Sequence, residues 1–151
     1  MKMNNKAQAL LAFGALLFFL GLVSGFAIPV LTNPRMGVSS HLEGVMNGTF
    51  LIVIGLAWPR LNLASGWSAL AFWTLLYGTY ANWMFVQLAA IFGTAAMAPI
   101  AGAGQQGQAW QEALVTGGLL SVGLAMVVAG ALLVWGFFRG STPVEQAATN
   151  L

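Results

Sequence analysis

Residues 7–31 read AQALLAFGALLFFLGLVSGFAIPVL, a run without a single charged side chain. A helix needs about 20 predominantly apolar residues to cross the hydrocarbon core of a bilayer, and this segment has enough. It is too long for a signal-peptide h-region of about 7–15 residues and lacks a clear small-x-small cleavage site. It is therefore read as a retained helix, Ala7–Leu31, closed by Thr32-Asn33-Pro34. Three further apolar stretches follow. Ser39–Trp58 starts at the cap candidates Ser39-Ser40 and ends at Pro59. Trp67–Thr94 leads into a Gly/Pro/Gln loop, Pro99–Gly107, and Trp110–Phe138 is stopped by Gly140-Ser141-Thr142-Pro143. The expectation is an all-α protein, a single membrane domain over 1–151 built as a four-helix transmembrane bundle.

Composition agrees. The chain has 151 residues, 59% hydrophobic and 5% charged, where a soluble domain carries about 25% charged residues. Its charges are Lys2, Lys6, Arg35, Arg60, Arg139, Glu43, Glu112 and Glu145, with no aspartate. A pI near 9.5 invites a nucleic-acid reading, but the basic residues form no patch or stripe, so no nucleic-acid partner is expected. They are topology signals instead. Lys2, Lys6, Arg60 and Arg139 fall on one side and Arg35 on the other, which predicts cytoplasmic termini in a bacterial cytoplasmic (inner) membrane. The absence of cysteine excludes disulfides, thiolate nucleophiles, zinc–cysteine sites and iron–sulfur clusters. Any metal chemistry must use His41, the carboxylates or a prosthetic group.

The run His41-Leu42-Glu43-Gly44-Val45-Met46-Asn47-Gly48 places the only histidine, a carboxylate and an amide inside an apolar helix. A charged side chain at the centre of a membrane helix costs about 3 kcal/mol on insertion scales, so these residues are candidates for function. His41, Gly44, Val45 and Gly48 share one helical face, while Glu43 and Asn47 share another, offset by about 120–200°. A histidine followed on its face by two glycines suits a flat macrocycle, with the imidazole as axial ligand to a haem iron. The common alternative is a helix-packing hydrogen bond. Glycines four apart, as in Gly21-x-x-x-Gly25, also let helix backbones approach closely. The glycosylation pattern Asn47-Gly48-Thr49 is discounted because it lies mid-helix.

The third stretch carries Trp73, Tyr77, Tyr80, Met84 and Gln87 at helical spacing, with Gly78, Asn82, Phe85 and Ala89 on a second face. Trp67, Trp73 and Trp110 suit an interfacial belt, whereas Tyr77 and Tyr80 lie mid-span and are read as lining an interior. Glu112 sits near the positive end of the fourth helix. Arg35 is either an interfacial charge or a bidentate partner for a haem propionate.

The segment Asn33–Gly48 resembles the hydroxylaminobenzene mutase family, as do Tyr77-Gly78-Thr79-Tyr80-Ala81-Asn82-Trp83 and the loop Pro99-Ile100-Ala101-Gly102. That family isomerises hydroxylaminobenzene to 2-aminophenol. A more distant relative is styrene oxide isomerase, a four-helix, trimeric membrane enzyme that uses haem b as a Lewis acid. Its haem-ligand histidine precedes a functional asparagine by six residues, a spacing that His41 and Asn47-Gly48 match, and Ala81-Asn82 matches an Ala-Asn pair in its third helix. Its aspartate and tyrosine fall nearest Gly78 and Val86, so those two roles do not transfer, which argues against epoxide isomerisation here. The resemblance implies a small aromatic substrate, a haem b held by His41 with room left by Gly44 and Gly48, and a homo-oligomer, with a trimer favoured. Asn47 and Asn82 would hold the substrate's NH and OH groups, Tyr77 or Tyr80 would shuttle a proton, and Glu43 would accept one if it faces the pocket. The offset between His41 and Asn47 points to a cofactor between protomers. The competing class is a haem-binding electron carrier or a membrane scaffold.

Overall fold

The computed structural model describes residues 5–140. Lys2, Glu145 and the stop signal at Ser141-Thr142-Pro143 lie outside them. The described residues are helical, without strands: α1 (Asn5–Ala27), α2 (Pro34–Ala57), α3 (Ser65–Phe92), the short α4 (Pro99–Gly102) and α5 (Ala109–Gly140). Single 3-10 turns, Ile28–Val30 and Trp58–Arg60, end α1 and α2. Each has proline at its second position, Pro29 and Pro59, where a missing N–H and a clash with the preceding turn end an α-helix.

Helix α2 begins five residues before the expected Ser39. Asn33 is its cap, accepting from Met36 N at 3.1 Å, and Pro34 occupies the first helical position. Ser39 and Ser40 are therefore not caps. Ser40 lies fully buried inside the helix and donates to Gln87 Oε1 of α3 at 2.7 Å. The loop after α3 starts at Gly93, whose φ of 71° is the left-handed conformation that glycine adopts without strain.

Length and apolarity qualify three segments to cross a membrane: Asn5–Val30, Pro34–Arg60 and Ala109–Gly140. Although α3 is 28 residues long, it falls outside that set. Thr74, Tyr77, Thr79, Tyr80, Asn82 and Gln87 dilute its apolar character. Helix α1 packs on α2, α2 on α3 and α3 on α5, while α5 makes no comparable contact with α1 or α2. The long helices thus form an open array rather than a closed bundle. Its outer faces are apolar, with Phe26 87%, Leu124 73% and Val127 72% exposed. Such side chains are stable on the outside only where the surroundings are apolar too.

The closest backbone approach between two of the long helices lies between α1 and α2. A Cβ on Gly21 would stand 2.6 Å from Gly44 C, and one on Gly14 would stand 2.8 Å from Gly48 O. Backbone meets backbone here, and neither atom can swing aside. Gly48→Ala should therefore cost about 1–3 kcal/mol of stability through overpacking. Gly117→Ala, where an added Cβ meets nothing within 4 Å, should be neutral or stabilising. Thermal unfolding of the two variants in one detergent checks the contrast.

Candidate functional site

The seam between α2 and α3 is polar along several turns. Because the two helices run antiparallel, Ser40 meets Gln87, Glu43 meets Asn82 and Asn47 meets the Thr79 carbonyl in succession. At its centre Glu43 Oε2 accepts from Asn82 Nδ2 at 2.6 Å and from Asn47 Nδ2 at 3.2 Å. Asn47 Nδ2 also reaches Thr79 O at 3.4 Å. No described residue donates to Glu43 Oε1. One carboxylate oxygen is thus held by two amides while the other is unengaged, and the three side chains are only partly buried. Glu43 stands ~14 Å along α2 from its start, well inside an apolar span. Helical spacing put Glu43 and Asn47 on one face, but only tertiary packing brings Asn82 to them.

His41 lies on the other side of α2, against α1. Its Nδ1 is 2.8 Å from Gly21 O, and its ring rests on Gly25, where an added Cβ would meet Nδ1 at 2.9 Å. A carbonyl only accepts, so Nδ1 carries the proton, and in the neutral imidazole the lone pair falls on Nε2. That is the orientation of a metal-ligating imidazole whose second nitrogen is fixed by a backbone carbonyl. Among the described residues no three His, Cys, Asp or Glu side chains converge on one point.

The structure gives Gly44 and Gly48 a different use from the expected bed for a macrocycle. Added Cβ atoms there would collide with Gly21 Cα and with Phe18 N of α1. The space their missing side chains leave is filled by α1, and a porphyrin stacked on that face would displace the helix. Gly44 also makes room for Trp83, whose buried indole N–H has no hydrogen-bond partner among the described residues.

Tyr77 and Tyr80 do not join the Glu43 cluster. The Tyr80 hydroxyl donates to Phe13 O of α1 at 2.7 Å, and that of Tyr77 pairs with Ser121 Oγ of α5 at 2.5 Å. Their rings, with Phe13, Trp73 and Leu76, line an apolar groove of about 370 Å³. Phe13 and Tyr80 meet edge to face, centroids 6.3 Å apart. Arg35, exposed at the start of α2, lines a separate cavity of about 450 Å³ with Ser39 and residues 97–101.

A profile of the family "Styrene oxide isomerase" matches residues 6–138. The chain belongs to that family. It is 50% identical over 131 residues to the hydroxylaminobenzene mutase HabB of Ectopseudomonas oleovorans, covering 86% of this chain and 80% of the relative. To HabA of the same organism it is 49% identical over 131 residues, covering 86% of this chain and 97% of the relative. No solved structure matches. The coarse function that follows is that of an isomerase, with mutases as its similar curated relatives.

Gly78 is buried, and an added Cβ would run into Met126 Sδ of α5. A larger side chain there needs the Met126 side chain to turn aside.

Other residues shape the end of the array near Arg35. Asn33, 2% exposed, donates through Nδ2 to Ala101 O at 3.0 Å and Gly102 O at 3.1 Å, and its N–H donates to Ala90 O. Glu112 takes the amides of Ala95, Ala96 and Gly107 on its two oxygens, so it anchors the loop rather than merely complementing a helix end. The Asn-Pro pair carried a readable signal, a cap followed by proline at the first helical position. The carbonyls it captures are non-local and left no trace in the sequence. Asn33→Ala removes a cap and leaves buried carbonyls unmet, for a loss of about 2–4 kcal/mol. Asn33→Asp, keeping the cap acceptor but not the donor, should fall between, as thermal unfolding in detergent would show.

Proposed function

We propose that the protein is a membrane-bound isomerase that rearranges hydroxylaminobenzene to 2-aminophenol by intramolecular hydroxyl transfer. The observation that carries this reading is the Glu43 carboxylate, held through Oε2 by Asn47 and Asn82 with Oε1 free, in a chain half identical to two hydroxylaminobenzene mutases. The reaction breaks the N–O bond and forms a C–O bond at the ortho carbon. The ortho proton must leave and the nitrogen must gain one, with no net change of electrons. Glu43 Oε1 takes the ring proton and returns it to nitrogen. The asparagines orient that carboxylate, and their remaining polar atoms are the partners for the substrate's NH and OH. Water is scarce at this depth, which favours return of the same oxygen over attack by solvent. Tyr77 and Tyr80 act through their ring faces: with Phe13 and Trp73 they offer the aryl ring a landing groove open to the apolar surroundings.

His41 would hold the iron of a haem b through Nε2, since its Nδ1–H is fixed on Gly21 O. When bound, that iron supplies a Lewis acid for the hydroxylamine oxygen. In this reading the cofactor would lie at a protomer boundary, because α1 covers the glycine face beside His41 and the Glu43 cluster looks the other way. A homo-oligomer follows, a trimer by family likeness. The chain sits in the cytoplasmic membrane with α3 as a fourth span. Lys6, Arg60 and Arg139 gather at the cytoplasmic end, where Lys6 Nζ donates to Ser68 Oγ and Asn62 donates to Arg139 O.

In ¹⁸O-labelled water the aminophenol should carry no solvent oxygen; appreciable incorporation refutes the intramolecular route. Glu43→Gln should lower kcat by about 10²–10⁴-fold while leaving KM near its parent value. The detergent-purified protein from haem-replete cells should show a Soret band that His41→Ala removes, and a parent without the band ends the haem assignment.

A further inference from the structure

We infer that the cavity at the start of α2 is a binding site for the headgroup of an anionic phospholipid, with Arg35 as its phosphate-binding group. This rests on the membrane placement of the chain and not on the mutase assignment. Arg35 stands in the first turn of the span Pro34–Arg60, the level at which a spanning helix meets headgroups. It lies about 120° around α2 from His41 and ~9 Å along the axis. It therefore faces the loop side, not a cofactor held against α1.

The cavity has the make-up of an interfacial lipid site. Its walls are Arg35, Ser39 and residues 97–101, around about 450 Å³. No acidic group among the described residues pairs with Arg35. Glu43 is turned into the α2–α3 seam, and both oxygens of Glu112 are taken by loop amides. Ser39 Oγ makes only a long 3.4 Å bond to Arg35 O. A guanidinium can grip a phosphodiester through two parallel bonds, and the adjacent hydroxyl can add a third. Ile100, 84% exposed, and the half-exposed Met97 form an apolar rim on which the upper acyl chain can lie.

The charge selects the kind of lipid. The cavity offers one cation and no carboxylate for the ammonium of a zwitterionic headgroup. A headgroup of net negative charge, such as phosphatidylglycerol, matches it better. The site is also built in advance. Asn33 pins residues 101 and 102 to the α2 cap, and Glu112 pins residues 95 and 96, so lipid binding need not order the loop.

Native mass spectrometry of the full chain tests this, with phosphatidylglycerol, phosphatidylcholine or inorganic phosphate added to the detergent-solubilised protein. The parent should retain phosphatidylglycerol in preference to phosphatidylcholine, and inorganic phosphate should not displace it. Arg35→Gln should weaken phosphatidylglycerol retention about five-fold, with Arg35→Lys in between. The thermal midpoint in phosphatidylcholine should stay at the parent value, which shows that the variants fold. Equal retention by Arg35→Gln overturns the proposal, and displacement by phosphate makes this a soluble-anion site instead. Loss of a Soret band in Arg35→Gln with lipid retention unchanged would assign the residue to a haem propionate and equally overturn it. Absence of isomerase activity in the parent leaves the lipid result standing, so the two readings fail separately.

Discussion

Backbone-to-backbone contact between α1 and α2 sets the positions of the remaining parts. In an apolar solvent the hydrophobic effect gives little reason for two helices to associate, and close packing supplies the attraction instead. Gly14 and Gly21 on one helix and Gly44 and Gly48 on the other remove the side chains that would hold the axes apart. The Gly21 carbonyl then comes within reach of His41, and α1 comes within reach of the Tyr80 hydroxyl. A larger residue at any of these glycines would push α1 away from both.

Helix α2 is consequently divided between two neighbours. Its α1 side carries the imidazole, fixed in one tautomer by a carbonyl. Its α3 side carries the carboxylate, fixed by two amides. Each group is immobilised by a partner from a different helix, so neither depends on water for orientation. For the proposed isomerisation, pre-oriented groups of this kind would be the useful ones.

Much of the site was legible because helices impose a period. The face shared by Glu43 and Asn47, and the separation of both from His41, follow from 100° per residue and survive in the folded chain. The residues that misled were those whose role depends on what stands opposite. Gly44 and Gly48 look like an open bed when α2 is considered alone, but α1 lies in it. Tyr77 and Tyr80 look like acid–base candidates by residue type, but their hydroxyls are spent on Ser121 and Phe13. Ser39-Ser40 look like a cap, but Asn33-Pro34 starts the helix earlier and leaves Ser40 to bridge to Gln87. Glu112 looks like a helix-end charge, but it serves as the clamp of a loop.

The sequence by itself determined that the chain is helical and apolar, where its long helices lie to within a few residues, and which polar side chains stand inside them. Those properties depend on local composition and on a period of 3.6 residues. Only the tertiary structure decided that α1 closes the glycine face, that Asn82 joins Glu43 and Asn47, and that Asn33 and Glu112 hold the loop beside Arg35. These outcomes depend on which helix faces which and at what distance. That is fixed by contacts between residues tens of positions apart, and no periodicity along a single helix encodes them.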